Sequence, residues 1–468
     1  MPRTMRDDER IVTSRHSKLV RRLGTRDAAL IVMGGIVGSG IFMNPSVVAR
    51  FVGSDVLVMT VWVAGGVIAM LGAGIFAELA ARRPKDGGLY AYLREAFHPA
   101  LAFIFGWTLL LVSQSGGMAA AAVTFANYFT QLTGYHTSPQ AIVAIAVIAI
   151  AVFTAVNALG VRTGTTTQNA FMVVKILAIA GFATIGLFVV HGTAGTISAS
   201  APVVLGNPLA VIGLAMVPVL FAYSGWQTSS FMSAELHEPH STLPRGLIAG
   251  VAVVVVLYLA VNATCLHALG IGGLAATNTP ASDVAALAFG PIGRSVMAIV
   301  ISLSTLGFLS NQILTSPRVY FQMAADGTFF KALASVNSRT HSPVIAIVVQ
   351  GLVAAVIAMS GRYDQILNYV TCNDYIFFGL AAIALIVFRR RDAQDTNAPK
   401  PGFCMPGHPY TTLLFLAAAW YIVGDTILKA PRDTAWGIAI LLSGLPVYAL
   451  FARRASLLRA RGPQPAGE

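Results

Sequence analysis

The segment GGIVGSGIF, residues 34–42, places four glycines and a serine inside an apolar run long enough to cross a membrane. Glycine costs a helix interior about 1 kcal/mol relative to alanine, and unwound backbone at bilayer depth persists only where it is packed in protein or lines a cavity. A helix broken here would expose free N–H groups at the start of one half and free C=O groups at the end of the other. Together these groups could hold a zwitterion, with its carboxylate on the donors and its ammonium on the acceptors.

The same glycines have a second interpretation. Gly34 and Gly38 fit the GxxxG pattern with which small residues let two membrane helices pack closely. On that interpretation the run is one unbroken helix and its glycines bind no ligand. Both interpretations are compatible with the segment taken alone.

A second interruption lies in the sixth apolar run, where FAYSGW at 221–226 follows Pro218. Runs one and six occupy the same position if the first ten form two halves of five. Paired interrupted spans in corresponding positions are typical of a transporter's central site. Because five is odd, the two halves would lie in opposite orientations. The pattern predicts a 5+5 inverted repeat with helices 1 and 6 discontinuous, and with spans eleven and twelve as an addition.

Lys175 lies inside the fifth apolar run, where an ammonium costs about 3 kcal/mol unless it snorkels, pairs or loses its proton. Snorkelling is one interpretation, since about 12 Å of helix separates Lys175 from the nearer end and its stem covers much of that distance. The other is coupling, either by movement of one proton or by a fixed charge in the place of a sodium ion. We expect the coupling role.

The elements that position these residues are membrane helices. The chain has 468 residues, of which 56% are hydrophobic and 11% charged, and its mean hydropathy is +0.72. A soluble domain is usually about a quarter charged. We predict an all-α membrane protein with about twelve transmembrane helices. The apolar windows are 27–50, 55–81, 98–131, 139–157, 168–190, 209–235, 246–270, 293–323, 343–360, 366–388, 410–428 and 435–452.

The net charge of +12 indicates topology and not nucleic-acid binding. With twelve spans and both ends on one side, about 25 of the 31 Lys and Arg fall on that side, and such residues mark cytoplasmic loops. The opposite side carries Arg50, Arg294, Arg362, Lys429 and Arg432. We predict a multi-pass plasma membrane protein with both termini cytoplasmic.

Four divisions follow from this topology. They are a cytoplasmic N-terminal tail at 1–26, a ten-helix transport core at 27–390, a loop with helices 11 and 12 at 391–452, and a cytoplasmic tail at 453–468. The first tail lacks the apolar core and small-residue cleavage site of a signal peptide, so the first span is expected to remain as an anchor.

Signatures of soluble enzymes are missing. The sequence has no HExxH, Walker or GxSxG motif, and its glycines do not follow the GxGxxG order. Cys265, Cys372 and Cys404 lack the CxxC spacing of zinc sites. We expect no enzymatic activity, no metal and no cofactor.

Several other polar residues fall within the apolar windows and could line a cavity. They are Glu78, Asn262, Asn311, Asn373 and Asp374. For each one alone, a hydrogen bond between helices is the simpler explanation. Asp374 is the most costly to bury and is therefore the most informative of them.

Four motifs, in order and in the expected topology, resemble the amino acid–polyamine–organocation superfamily of transporters over residues 20–390. They are GSGIF at 38–42, PKDGGLY at 84–90, FAYSGW at 221–226 with the exit loop that follows it, and SPR, ADG and SP within 316–343. The third motif is most similar to the L-type amino acid transporter branch.

The resemblance implies a LeuT-type fold with substrate at the midplane, between spans one, three, six, eight and ten. The expected substrate-binding residues are Ile36, Ser39, Gly40, Ile41, Phe221, Ala222, Ser224, Trp226 and Gln227. The α-carboxylate would meet N–H groups at 39–41, and the α-amine would meet carbonyls near Ile36 and at 221–224. Phe221 matches the aromatic residue that closes over the substrate from outside.

The resemblance also bears on coupling and partners. Lys175 matches a lysine that stands where sodium-coupled relatives bind an ion, which argues against sodium dependence. Ala234 departs from the two glutamates common in the L-type branch, which leaves Glu235 alone at a possible cytoplasmic gate. No cysteine stands out as a link to a glycoprotein. We therefore expect a bacterial inner-membrane transporter with no obligatory protein partner.

The sequence thus predicts a secondary transporter of L-amino acids, small or medium and neutral, that works by exchange or proton coupling with alternating access. An amine or polyamine carrier is the first alternative, and it would not need carboxylate donors at 39–41. A sensor that binds an amino acid without moving it is the second.

Overall fold

A computed structural model describes residues 21–133, 138–190, 208–360, 363–398, 400–429 and 431–460. Residues 1–20 of the predicted tail 1–26 lie outside these ranges, as do residues 461–468 of the predicted tail 453–468. Arg362 also lies outside them. The α-helices are α1 (Thr25–Ile36), α2 (Gly40–Val52), α3 (Asp55–Arg82), α4 (Leu89–Ala96), α5 (Pro99–Thr108), α6 (Gln114–Thr133), α7 (Pro139–Ala158), α8 (Val161–Phe188), α9 (Pro208–Tyr223), α10 (Pro239–Ala276), α11 (Pro280–Thr315), α12 (Pro317–Ala325), α13 (Val344–Met359), α14 (Tyr363–Gln394), α15 (Tyr410–Lys429) and α16 (Pro431–Ala460).

The all-helical prediction is confirmed within the described residues. Ten helices there are long and apolar enough to cross a membrane, and the count becomes eleven if α1 and α2 form one bent span. The predicted window 343–360 coincides with α13, which has 16 residues. At 1.5 Å per residue this helix is about 24 Å long, less than the roughly 30 Å of a hydrocarbon core. The count of twelve spans stays a prediction.

The first predicted helix break is present. Helix α1 ends at Ile36, α2 begins at Gly40, and the two are bent by 47°. The predicted break in the sixth run is also present, because α9 ends at Tyr223 and a 3₁₀-helix follows from Trp226 to Glu235. Gly225 between them has φ 111°, a conformation that a side chain would oppose.

The two breaks lie directly against each other. A Cβ atom on Gly225 would collide with the carbonyl of Gly35, and one on Gly35 would collide with the carbonyl of Gly225. A Cβ on Gly34 would meet the amide side chains of Gln168 and Asn311. Gly34 and Gly35 therefore provide close packing, whereas the rest of the segment forms the break.

A third irregularity lies in the third span, where a π-helical segment, Leu109–Ser113, joins α5 to α6. Such segments often reshape a helix near a functional site. Helices α6 and α11 pack extensively on each other, as do α10 and α3. These pairs surround the two breaks.

One end of the bundle carries Leu23, Glu235 and Arg389, and we call it the terminal face. There Leu23 forms a parallel bridge with Leu236, and the N–H groups of Arg22 and Leu23 both donate to the carbonyl of Glu235. The predicted division at 390 falls inside α14, and the one at 452 falls inside α16.

Candidate binding site at the two helix breaks

A cavity of about 140 Å³ lies between the two breaks and the neighbouring helices α6, α11 and α14. An apolar protein cavity of about 150 Å³ holds one benzene molecule, so this one suits a ligand of about six to eight non-hydrogen atoms. Seven of the predicted site residues line it, namely Ile36, Ser39, Gly40, Phe221, Ala222, Ser224 and Gln227. The two predicted segments are thus brought together at one cavity.

Hydrogen-bond donors come from the start of α2. The N–H groups of Ser39, Gly40 and Ile41 have no partner among the described residues, and the first helical bond there runs from the N–H of Phe42 to the carbonyl of Ser39 at 3.0 Å. Free N–H groups and the positive end of a helix dipole favour an anion. Ser39 and Gly40 line the cavity, whereas the fully buried side chain of Ile41 does not.

Hydrogen-bond acceptors come from the ends of α1 and α9, and a residue that the sequence did not single out bridges them. The hydroxyl of Tyr258, on α10, lies 3.2 Å from the carbonyl of Ile36 and 3.3 Å from that of Ala222. One hydroxyl proton is shared between two carbonyls, so both keep acceptor capacity. A buried tyrosine needs a partner for its hydroxyl, but the sequence does not indicate which one.

Lys175 lies behind the first break. Its Nζ donates to the carbonyl of Val37 at 2.6 Å, and the residue is only 2% exposed. Val37 caps the C-terminal end of α1, where the helix dipole favours a cation. Gly307 of α11 lies against the Lys175 stem, since a Cβ there would meet its Cε at 2.7 Å. The side chain thus points to the break and does not snorkel.

Asp374 brings a carboxyl group to the cavity. It is the only ionisable side chain among the residues that line the described cavity, and Ser113 of the π-helical segment donates a hydrogen bond to it. Nearby, the Oε1 atom of Gln114 accepts a hydrogen bond from the Ser316 hydroxyl at 2.8 Å. Ser113 and Gln114 were not predicted, because the sequence does not indicate the π-helical segment that ends at Ser113.

Of the predicted residues Phe221, Trp226 and Gln227, two line the cavity and one lies in the core. Phe221 lines the cavity, and Gln227 lines it while its Oε1 accepts from the N–H of Gly225 at 3.1 Å. Trp226 does not line the cavity. It is 3% exposed and packs against Phe76 and Phe378, each with ring centroids 4.9 Å from its own. Its place is in the core beside the break.

Three of the other polar residues do not line the cavity and form contacts within or between helices. The Nδ2 atoms of Asn311 and Asn262 donate to the carbonyls of Ile31 and Tyr258, at 2.7 and 2.8 Å. Glu78 is fully buried at the terminal face and accepts hydrogen bonds from Arg389. Asn373, next to Asp374, is buried and is also absent from the cavity lining.

The sequence pattern of the family described as amino acid permease matches residues 23–453. The chain belongs to the amino acid permease family. Its members are transporters and not enzymes, and the many apolar helices agree with a multi-pass membrane protein.

Individual relatives resemble the permease over nearly its whole length. It is 28% identical over 433 residues to the serine/threonine exchanger SteT of Bacillus subtilis, covering 92% of this chain and 96% of that protein. It is 29% identical to the human b(0,+)-type amino acid transporter 1, covering 96% and 92%. It is 30% identical to the rat large neutral amino acids transporter small subunit 2, covering 92% and 81%.

Buried ion pairs hold the permease together at the terminal face. Nε of Arg318 donates to Glu235 at 2.9 Å, and the two side chains are 2% and 0% exposed. Arg82 and Arg83 both pair with Asp392 at 2.6 Å, which ties α3 to α14. The first pair joins the eighth span to the end of the sixth, and the others join the second span to α14.

Proposed function

We propose that this permease moves small or medium neutral L-amino acids by alternating access around the cavity between the two breaks. One observation carries the proposal. Free N–H groups at 39–41 and the carbonyls of Ile36 and Ala222 lie beside the same cavity of about 140 Å³. Donors at the start of α2 and acceptors at the ends of α1 and α9 match the carboxylate and ammonium that all amino acids share. The cavity volume favours a molecule such as serine, which has seven non-hydrogen atoms.

The site residues have distinct roles in this proposal. Ser39, Gly40 and Ile41 receive the α-carboxylate through backbone N–H groups. Carbonyls at Ile36 and at 221–224 receive the α-amine. Phe221 covers the substrate and Gln227 supports the second break, whereas Trp226 acts through packing.

Asp374 selects among side chains. A carboxylate in the cavity accepts hydrogen bonds from a hydroxyl or an ammonium, and a hydrogen bond to a charged group contributes about 1.5–3 kcal/mol. The name of the serine/threonine exchanger in Bacillus subtilis supports hydroxyl side chains and exchange as the mode of transport. Lys175 is the leading candidate for coupling to protons, because it contacts the break itself.

The proposed architecture is a 5+5 inverted repeat over residues 27–390, with helices 11 and 12 added. The terminal face lies in the cytoplasm, since the excess of lysine and arginine falls on the same side as both ends of the chain. The membrane would then be the plasma membrane of a bacterium, its inner membrane.

Uptake into proteoliposomes tests the proposal. We expect labelled serine to enter vesicles that contain internal serine, and leucine and arginine to enter more slowly. Ethanolamine, which is serine without its carboxylate, should neither enter nor compete. Uptake into empty vesicles driven by a pH gradient would identify proton coupling in place of exchange. Entry of ethanolamine would favour an amine carrier, and binding of serine without uptake would favour a sensor.

A further inference from the structure

A polar cleft of about 220 Å³ on the terminal face lies far from the site already described. We call it the arginine cleft, because Arg22, Arg162 and Arg339 line it together with Thr340 and His341. A second cleft of about 470 Å³ adjoins it and shares Arg22 and Arg162. The three arginines come from the N-terminal segment, the start of α8 and the loop before α13.

The three guanidinium groups have no partner in the part of the chain that the structure describes. None of them forms an ion pair or a side-chain hydrogen bond within the described residues, and no acidic residue lines the arginine cleft. Arg82, Arg83, Arg318 and Arg389 on the same face all pair with carboxylates. In the adjoining cleft, Asp27 accepts from the N–H of Gly24 at 2.9 Å and from Asn169 at 2.7 Å. Positive charge therefore accumulates in the arginine cleft, and no carboxylate among the described residues pairs with these three arginines.

The backbone adds further donors. Helix α8 begins at Val161 after Gly160, which provides no side-chain cap, so the first N–H groups of a 28-residue helix face this region. Two buried hydroxyls, those of Thr165 and Thr340, have no hydrogen-bond partner among the described residues. Thr165 is only 4% exposed and lines the adjoining cleft. These unpaired groups point to an anionic acceptor in the two clefts.

The flank of the arginine cleft is apolar. Leu159 lines it and is 66% exposed. It follows α7, whose 20 residues span about 30 Å, the thickness of a hydrocarbon core. Ile148 and Val152 are 61% and 51% exposed on the same side of α7, at helical spacing from Leu159. An exposed apolar ridge thus leads from the arginine cleft into the membrane.

We propose that the arginine cleft binds the phosphate group of an anionic phospholipid whose acyl chain lies along Ile148, Val152 and Leu159. Unpaired arginines and helix N–H groups recognise the phosphate, and the apolar ridge distinguishes a lipid from free phosphate. Basic pockets between helices on the cytoplasmic side suit such headgroups. The bound lipid would join the N-terminal segment, α8 and the loop before α13.

Native mass spectrometry of the purified full-length chain tests this proposal without measuring transport. Dioleoyl phosphatidylglycerol and dioleoyl phosphatidylcholine are added in turn. We expect tight binding of one phosphatidylglycerol and weaker binding of phosphatidylcholine. Arg22→Gln, Arg162→Gln and Arg339→Gln should each weaken phosphatidylglycerol binding about fivefold. Arg390→Gln is the matched control, since Arg390 is exposed on the same face and lies outside both clefts.

Each remaining outcome decides against part of the proposal. A variant with Arg22, Arg162 and Arg339 all replaced by glutamine should lose most of the binding. Equal retention of phosphatidylglycerol by this triple variant and by Arg390→Gln would overturn the proposal, as would equal binding of the two lipids. Displacement of the lipid by inorganic phosphate at equal concentration would make the cleft a free-phosphate site and overturn the lipid assignment. Thermal unfolding without lipid shows whether the variants are folded, and each single arginine variant gives an independent result.

Discussion

Lys175 contacts the first helix break from within a membrane-spanning helix, α8. Its ammonium contacts the carbonyl of Val37, which has lost its place in the helical ladder, and its stem lies against Gly307 of α11. A movement of α1 or α11 would change this contact. A hydrogen bond to a charged group contributes about 1.5–3 kcal/mol, enough to shift an equilibrium between two conformations about 10- to 150-fold.

Replacement of Lys175 by methionine tests this role. We expect the serine exchange rate of Lys175→Met to fall at least about tenfold and its pH dependence to change, because one conformation loses its stabilising contact. Serine affinity should change little, since Lys175 does not line the cavity. Exchange rates measured from pH 5 to pH 8 give the result. Lys331→Met, an exposed lysine on the 3₁₀-helix Lys331–Ala334, is the control. A wild-type rate and pH profile would reduce Lys175 to a structural cap.

Single residues were predicted unevenly from the sequence. The glycine segment left open an unbroken GxxxG helix or a helix break, and the structure shows the break. Gly34 and Gly35 pack closely beside it, and Gly35, Gly38 and Gly40 line the cavity. Trp226 was predicted to bind substrate and does lie beside the second break, but it begins a 3₁₀-helix and its side chain packs in the core. Tyr258 was missed because its role depends on two carbonyls that are distant in sequence.

At the scale of elements, the loop between α3 and α4 closes onto the terminal face. Gly88 approaches Ser230 so closely that a Cβ would meet its backbone at 2.8 Å. Burial raises the pKa of the Asp86 carboxyl above its ordinary value of 3.8; Arg21 partly opposes this rise, and Glu235 adds to it. The charged form of Asp86 is therefore disfavoured in the folded protein.

The pH dependence of this effect has a definite sign. An acid whose folded pKa is raised contributes stability below its unfolded pKa, and that contribution is lost as the pH rises through the folded value. We expect Asp86→Asn to raise the melting temperature at pH 7, with a smaller gain as the pH falls toward about 4. Thermal unfolding at several pH values tests this. Asp395→Asn, an exposed site, serves as the control, and a lower melting temperature for Asp86→Asn at pH 7 would contradict the account.

Elements were more predictable than residues, because long apolar runs and small polar interruptions are local properties of the chain. Both breaks fall where the sequence placed them. The π-helical segment at Leu109–Ser113 was not predictable, since its sequence is apolar and its geometry is imposed by the packing around it. The short helix α13 likewise matched an apolar window that gives no indication of its length.

At the scale of the whole molecule, the orientation of the terminal face can be tested with a native side chain. Cys404 is exposed in the segment that follows α14, whereas Cys265 and Cys372 are buried. We expect a membrane-impermeant maleimide to label inside-out vesicles and not intact cells, because this segment would face the cytoplasm. Cys404→Ser should remove the signal. Labelling in intact cells would invert the proposed topology.

The central claim concerning the whole permease is that one amino acid binds between the two breaks and is carried across. Its most direct test is counterflow of labelled serine into serine-loaded proteoliposomes, with wild type, Gly40→Val and Gly181→Val. A Cβ on Gly40 meets Asn44 and Ala222 at ordinary contact distances of 3.6 and 3.8 Å, so a larger side chain projects into the cavity. Gly181 has open space around it and serves as the matched control. We predict counterflow for wild type and Gly181→Val and none for folded Gly40→Val. Wild-type counterflow by Gly40→Val would contradict the account.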